Sequence, residues 1–229
     1  MSNATKPVAV IGTGRMGGAI GGRLAELGHS VVFGSRSPDS EETNALVQKI
    51  GNGASATSPS EAAAAADILV YAVPWAGAEE AASSIGSISG KTIIDVTNAL
   101  SFGAHGLMEM ASDTSSGENI QKWFPDCVVV KAFNTVGFHV IANPAAAGGP
   151  VSVPIVGDDD TSKVAVAELV QTFGFETVDV GPLVHARALE MMSMIYIVPY
   201  LQGRKEDAFE FYLRRGAAPK VSEGVRAAG

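Results

Sequence analysis

The chain has little of several things. One cysteine, Cys127, stands among 229 residues, so no internal disulfide can form. It lies in the apolar run 127–130, reads as a small buried hydrophobe, and as a single free thiol suits a reducing compartment. Charged residues make up 17% of the chain, and no Lys/Arg run exceeds two. With a formal net charge of −8 this leaves no basic patch for nucleic acid, and such a surface is repelled by acidic membranes. The longest strongly apolar stretch, Met191–Leu201, has eleven residues, where a membrane span needs about 20. No secretory signal is legible, because a glycine loop follows the apolar residues 8–11 at once; Ser2-Asn3-Ala4 resembles a cloning remnant. These absences predict a cytoplasmic protein with a small-molecule partner. An anionic ligand would have to be gripped locally, by main-chain amides or single arginines.

What is present is an apolar composition of 46% with 26 glycines. A chain of this length buries roughly 70% or more of its unfolded surface, enough for one large domain or one with a small appendage. Apolar strand-like runs alternate with helical stretches. Strands are predicted at 8–11, 30–33, 54–56, 67–73, 92–96, 128–132, 151–156 and 175–180. Helices are predicted at 14–27, 41–50, 59–66, 76–85, from the Asp158–Asp160 cluster through Phe173, and from Leu183 to Pro199. Ser58 and Pro59 read as a cap and first helical residue. The three aspartates read as a solvated capping turn, since a metal would need ligands from elsewhere. The segment 102–117 reads mostly as loop, and 207–215 as a short final element. The alternation, without hairpin signals, predicts an α/β fold: a doubly wound, mostly parallel sheet with helices on both faces.

The central motif is Val8-Ala9-Val10-Ile11-Gly12-Thr13-Gly14-Arg15-Met16-Gly17. Gly12, Gly14 and Gly17 have the spacing of a dinucleotide-binding loop. The first allows the turn out of the strand, the second lets main chain approach a diphosphate, and the third lets the helix sit close to the strand. The helix start then offers free amides and a partial positive charge. The spacing alone is a weak signal; a strand before, a helix after and a second strand about 20 residues on make it specific. That second strand is followed by Gly34-Ser35-Arg36-Ser37 rather than by the acid that would bond ribose hydroxyls. Ser35, Ser37 and the Arg36 fork suit a 2′-phosphate, so NADP(H) is predicted over NAD.

At this point the chain resembles the family of deazaflavin-dependent NADP oxidoreductases, named for coenzyme F420. It is also similar to the oxidoreductase domain of six-transmembrane metalloreductases. The resemblance runs over nearly the whole length. It rests on IGTGRMG, on GSR at 34–36, AVPW at 72–75, DVTN at 95–98, KAFNTVG at 131–137, VGDDD at 156–160 and VGPLVHARALE at 180–190. One departure is Ala99, where many relatives carry Pro.

The resemblance implies a Rossmann-like domain over 1–182 and a small helical part over 183–229 that lines an acceptor cleft. It implies that Thr13, Gly14, Arg15 and Met16 bind the pyrophosphate, that Ser35 and Arg36 hold the 2′-phosphate, and that Val73, Pro74 and Trp75 pass beneath the ribose and nicotinamide. Asn98 and Ala132 complete the cofactor side. Asn134, Thr135, Val136, Arg187 and Ser193 are implied on the side of a hydride acceptor, coenzyme F420 or a flavin.

Such a transfer needs stacking and exclusion of water rather than a protein acid, and no catalytic acid is assigned. His139 and His185 are the candidates nearest the cleft, and both read more simply as structural. The stretch 191–197 is apolar all round, which suits a buried helix, a homodimer contact or a flexible wall for a planar ring. Competing readings are a flavin or ferric reductase, a hydroxyacid dehydrogenase or pyrroline carboxylate reductase, and a non-catalytic NADP sensor. The stretch after Val184 is too short for the long helical domains of the second pair.

Overall fold

The computed structural model describes residues 7–103, 108–201, 211–214 and 216. In chain order the elements are β1 (Val8–Ile11), α1 (Arg15–Glu26), β2 (Val31–Gly34), α2 (Glu41–Ile50), β3 (Ser55–Thr57), α3 (Pro59–Ala65), β4 (Ile68–Tyr71), α4 (Ala78–Ile85) and β5 (Thr92–Asp95). There follow β6 (Leu100–Phe102), β7 (Met108–Met110), α5 (Ser116–Trp123), β8 (Val128–Lys131), α6 (Phe138–Ala142), β9 (Ser152–Gly157), α7 (Asp160–Thr172), β10 (Glu176–Asp179) and α8 (Ala186–Leu201).

Eight strands form one sheet in the order β10-β9-β8-β5-β4-β1-β2-β3. Every pair is parallel except β8–β9, which is antiparallel, so the fold is the doubly wound, mostly parallel Rossmann-like arrangement. β1 and β4 are neighbours whose connections leave in opposite directions, and that is where such sheets open a crevice at their carboxyl edge.

Period-two alternation explains how the sheet is covered. Val8 and Val10 pack on one face with Ile20 and Leu24 of α1 and Val166 and Val170 of α7. Ala9 and Ile11 pack on the other with α3, α4 and Ile120 of α5. Leu183, Ala186 and Leu189 put the start of the C-terminal helix on that same second face. Local signals were read correctly where caps are strong. Ser58 accepts from Glu61 N while Glu61 bonds back to Ser58, a complete capping box before Pro59. Asp159 caps α7 by accepting from Ser162 N at 2.7 Å, and Asp158 accepts from Leu183 N at 2.8 Å. Among the described residues no group of acids, histidines or cysteine is placed to hold a metal ion.

Two expectations are revised. Among the described residues the stretch 102–117 is not loop throughout: β6 and β7 pair as a small antiparallel sheet, and α5 begins at Ser116. The two strands were hidden because each is only three residues long and Gly103 and Gly106 interrupt the local pattern. Helix α8 continues through Pro199 to Leu201. The amide that Pro199 lacks would have bonded the carbonyl of exposed Ile195, which water can take. The element expected over 207–215 lies mostly outside the described residues, of which 211–214 form neither helix nor strand. Among the described residues no helix is long and apolar enough to cross a membrane.

Candidate functional site

The glycine turn sits at the carboxyl end of β1. Gly12 has φ +112°, and a Cβ there would run into the carbonyl of Ala72 at the end of the neighbouring strand; one on Gly17 would run into the carbonyl of Gly12. Gly14 differs, because a Cβ there would meet nothing within 4 Å. Its main chain faces open space. Gly14 is also the N-cap of α1, with no side-chain cap and no acid in the first turn. Among the described residues no side chain caps the free amides of α1, which is the donor arrangement a diphosphate requires.

That space is part of a cleft of about 440 Å³. It joins Gly12, Thr13 and Gly14 to Ser35 and Arg36 after β2, and to Val73 and Pro74 after β4. Arg36 Nη1 reaches across to Glu80 Oε2 at 3.8 Å, with both side chains about three-quarters exposed (76% and 73%), so the guanidinium remains open to an incoming anion. Ser35 is nearly buried, and its Oγ accepts from Ser37 N at 3.2 Å and lies 3.3 Å from Thr43 Oγ1. Sequence reading missed Pro59, Ser40 and Glu42, which complete this end of the cleft. Only the tertiary packing of α2 and α3 brings them there.

The remaining residues lie elsewhere. Arg15 is exposed, with its guanidinium 5.7 Å from the centre of the Phe138 ring. Met16 packs on the core and Gly17 is buried. Trp75 does not line the cleft; it stacks on Trp123 of α5 at 5.9 Å and 20°. Asn98 and Ala132 follow β5 and β8 at the same sheet edge. On the acceptor side, Asn134, Thr135, Val136 and Ser193 are all buried, Val136 within the main core. Arg187 is half exposed and forms a fork with Glu118, at 2.8 Å from Nε and 2.6 Å from Nη2. That pair holds the Glu118 carboxyl down at about 2, with Arg187 the largest cause. His185 Nδ1 lies 2.6 Å from the carbonyl of Val180, and Phe138 and His139 sit at the start of α6.

Beneath the far end of the edge lies a group that sequence reading did not single out. Lys131, Asp95 and Glu190 are fully buried. Lys131 Nζ donates to Asp95 Oδ2 (2.6 Å), Ser116 Oγ (2.9 Å) and the Thr97 carbonyl (2.5 Å), and pairs electrostatically with Glu190 Oε1 at 2.9 Å. Glu190 also accepts from the amides of Ala99 and Ser116. One signal was available: a single charge closing the runs TIID and VVVK and one set inside the run ALEMM. Next to this group Phe133 holds a left-handed φ of +63°, rare for a bulky residue, with its ring 5.2 Å from that of Phe173.

This geometry matches known proteins. The family of coenzyme F420-dependent NADP oxidoreductases matches residues 7–99. A crystal structure from Arthrobacter sp. FB24, described as an F420-dependent NADP-reductase, is 31% identical over 92% of this chain and all of that one, with a TM-score of 0.82. The chain belongs to this family. It is therefore an NADP-dependent oxidoreductase. Metalloreductase STEAP3 of Rattus norvegicus is 30% identical over 188 residues, 82% of this chain and 36% of the other. The chain thus spans about a third of the length of the curated relatives it matches. An imine reductase of Aspergillus terreus, at 18% identity and a TM-score of 0.63 over 87% of this chain and 63% of its own, shares the fold.

Proposed function

We propose that the protein transfers a hydride between NADPH and a deazaflavin or flavin-like acceptor. The observation that carries this reading is the uncapped start of α1, open at Gly14 into a cleft whose other end holds Arg36. In this reading Gly12, Thr13, Gly14, Arg15, Met16 and Gly17 form the diphosphate turn. Ser35 and Arg36 take the 2′-phosphate by charge-assisted hydrogen bonds. Val73 and Pro74 form the floor beyond it, with Trp75 behind them on Trp123 and Asn98 and Ala132 further along the sheet edge. Bound NADPH supplies the hydride; the chain binds it, fixes its direction and keeps water away. The acceptor would lie between the segment after β8, with Asn134, Thr135 and Val136, and the helical part from residue 183, with Arg187 and Ser193. Since four of those five are buried, they would shape that wall from behind, and Arg187 would be the one at the surface.

The similarity to a metalloreductase favours a second reading, in which the acceptor is a flavin or a ferric complex. One assay separates them: NADPH mixed with oxidised F420, FAD, FMN or a ferric chelate, following loss of nicotinamide absorbance. Turnover with F420 supports the first reading. Turnover only with flavin or iron supports the second. Tight NADPH binding without turnover on any of them removes both and leaves a sensor.

The exposed side of α8 carries Met191 and Ile195, with Val184 just before it, which supports a homodimer through that face. A monomer by analytical ultracentrifugation would remove that element. The free thiol of Cys127 fits action in the cytoplasm.

A further inference from the structure

Helix α8 has an unusual distribution of polarity. Glu190 and Ser193 face inward and are fully buried, while Met191 and Ile195 face outward and are half exposed. Packing alone favours the reverse, since burying polar groups costs free energy unless each finds a partner. Both residues find theirs in the segment after β5. Glu190 Oε2 accepts from Ala99 N at 2.9 Å, and Ser193 Oγ lies 2.8 Å from Asn98 Oδ1. Asn134 Nδ2 lies 2.9 Å from the same Asn98 oxygen and 3.0 Å from the carbonyl of Leu189.

Counting protons fixes these side chains. The Leu189 carbonyl can only accept, so the atom of Asn134 that faces it is Nδ2. The second proton of that Nδ2 goes to Asn98, whose facing atom must then be Oδ1. Ser193 must also donate to Oδ1, which has no proton to return. The Glu190 carbonyl, 2.7 Å from Ser193 Oγ, already receives an amide within the helix and does not require the Ser193 proton. Asn134 Oδ1 is left buried without a partner, so the two donor bonds, and no acceptor bond, hold that amide in place.

Asn98 Oδ1 is therefore saturated by two donors. Its Nδ2 meets no acceptor among the described residues, and it is not one of the buried unpartnered atoms, so it opens to solvent. Asn98 follows Thr97, whose Oγ1 lies 3.2 Å from the carbonyl of Tyr71 and 3.3 Å from that of Val73 on the cleft wall. The free donor thus belongs to the residue next to one that touches this wall.

We infer that Asn98 Nδ2 donates to the nicotinamide carboxamide of the dinucleotide, and that Ser193 and Asn134 are positioning residues that make it a donor. This rests on the nucleotide reading above and gives Ser193 and Asn134 a role as supports for Asn98 rather than contacts to the acceptor. Asn98→Asp keeps the shape and removes the donor. Ser193→Ala releases one of the two bonds that fix the amide, and Ser193→Thr restores the hydroxyl.

The test uses calorimetric titration of the full chain with NADPH and with 2′-phospho-ADP-ribose, which lacks the nicotinamide. Expected are about a tenfold loss of NADPH affinity for Asn98→Asp and about threefold for Ser193→Ala. Recovery with Ser193→Thr is expected, as is no further loss when Ser193→Ala is added to Asn98→Asp. Affinity for 2′-phospho-ADP-ribose stays unchanged throughout. Equal losses for both ligands, or full NADPH affinity in Asn98→Asp, overturn the inference alone. Wild-type protein that binds neither ligand overturns the nucleotide reading and this inference with it.

Discussion

Two ends of one sheet edge handle polarity in opposite ways. At the β1–β2 end, no side chain among the described residues caps α1, and Arg36 stands in solvent with a long contact to Glu80. At the β5–β8 end, Lys131 is wholly enclosed and surrounded by two carboxylates, a hydroxyl and a carbonyl. The first arrangement is incomplete and can accept an anion. The second is saturated and can accept nothing, so its role is to hold β5, β8, α5 and α8 in one relative position. Burying charge costs more than apolar packing would, so the network gives geometric definition rather than net stability.

The largest expected effect tests the closed end. Lys131→Met leaves Asp95 and Glu190 buried without their cation and should cost about 3–5 kcal/mol in urea unfolding. Adding Asp95→Asn and Glu190→Gln should recover much of that loss. If the single change costs no more than a surface substitution, the two ends do not differ as described.

The glycine turn sharpens the comparison within the open end. Gly17→Ala meets main chain and should destabilise the fold by about 1–3 kcal/mol. Gly14→Ala meets empty space at an ordinary φ of −73° and should stay within about 1 kcal/mol of wild type. Yet it should lower NADPH affinity by about tenfold or more, because the added methyl stands where main chain would meet the diphosphate. Matched losses of stability and affinity in both variants would break this distinction.

Arg36→Ala should weaken NADPH binding by about tenfold while leaving NADH unaffected and the melting temperature unchanged. Equal affinity of the wild type for the two nucleotides would remove the assignment of Arg36.

The smallest effect concerns Glu118, held at about 2 by Arg187 against an ordinary value of 4.5. A lowered carboxyl stabilises the fold above the ordinary value, and that stability drains away as the pH falls through about 2. Because Arg187 is 46% exposed, solvent screening leaves about 1 kcal/mol. Glu118→Gln should be less stable by that amount at neutral pH, and the difference should close between pH 4.5 and 2 in melts followed by circular dichroism.

Much of the open end was legible because its signals are local. The three glycines, the strand before them and the Gly34-Ser35-Arg36 tip each lie within a few residues, and short-range sterics force the same turn wherever such a segment folds. The closed end was not legible. Lys131, Asp95 and Glu190 are separated by up to 95 positions, and an isolated charge in an apolar run announces only that it needs a partner. For Trp75 the local segment was identified, but its stacking on Trp123 depends on where α5 docks. The β6–β7 pair is local and escaped because each strand is only three residues long.

By itself the sequence determined the order of most strands and helices, the caps at Ser58 and Asp159, and the turn that exposes main chain at Gly14, because φ/ψ sterics and period-two burial act within a few residues. Only the tertiary structure decided which way β9 runs, which charges are enclosed, and how the Asn98 amide is oriented. Those outcomes depend on partners tens of residues away, whose approach is set by packing of the whole sheet and its covering helices.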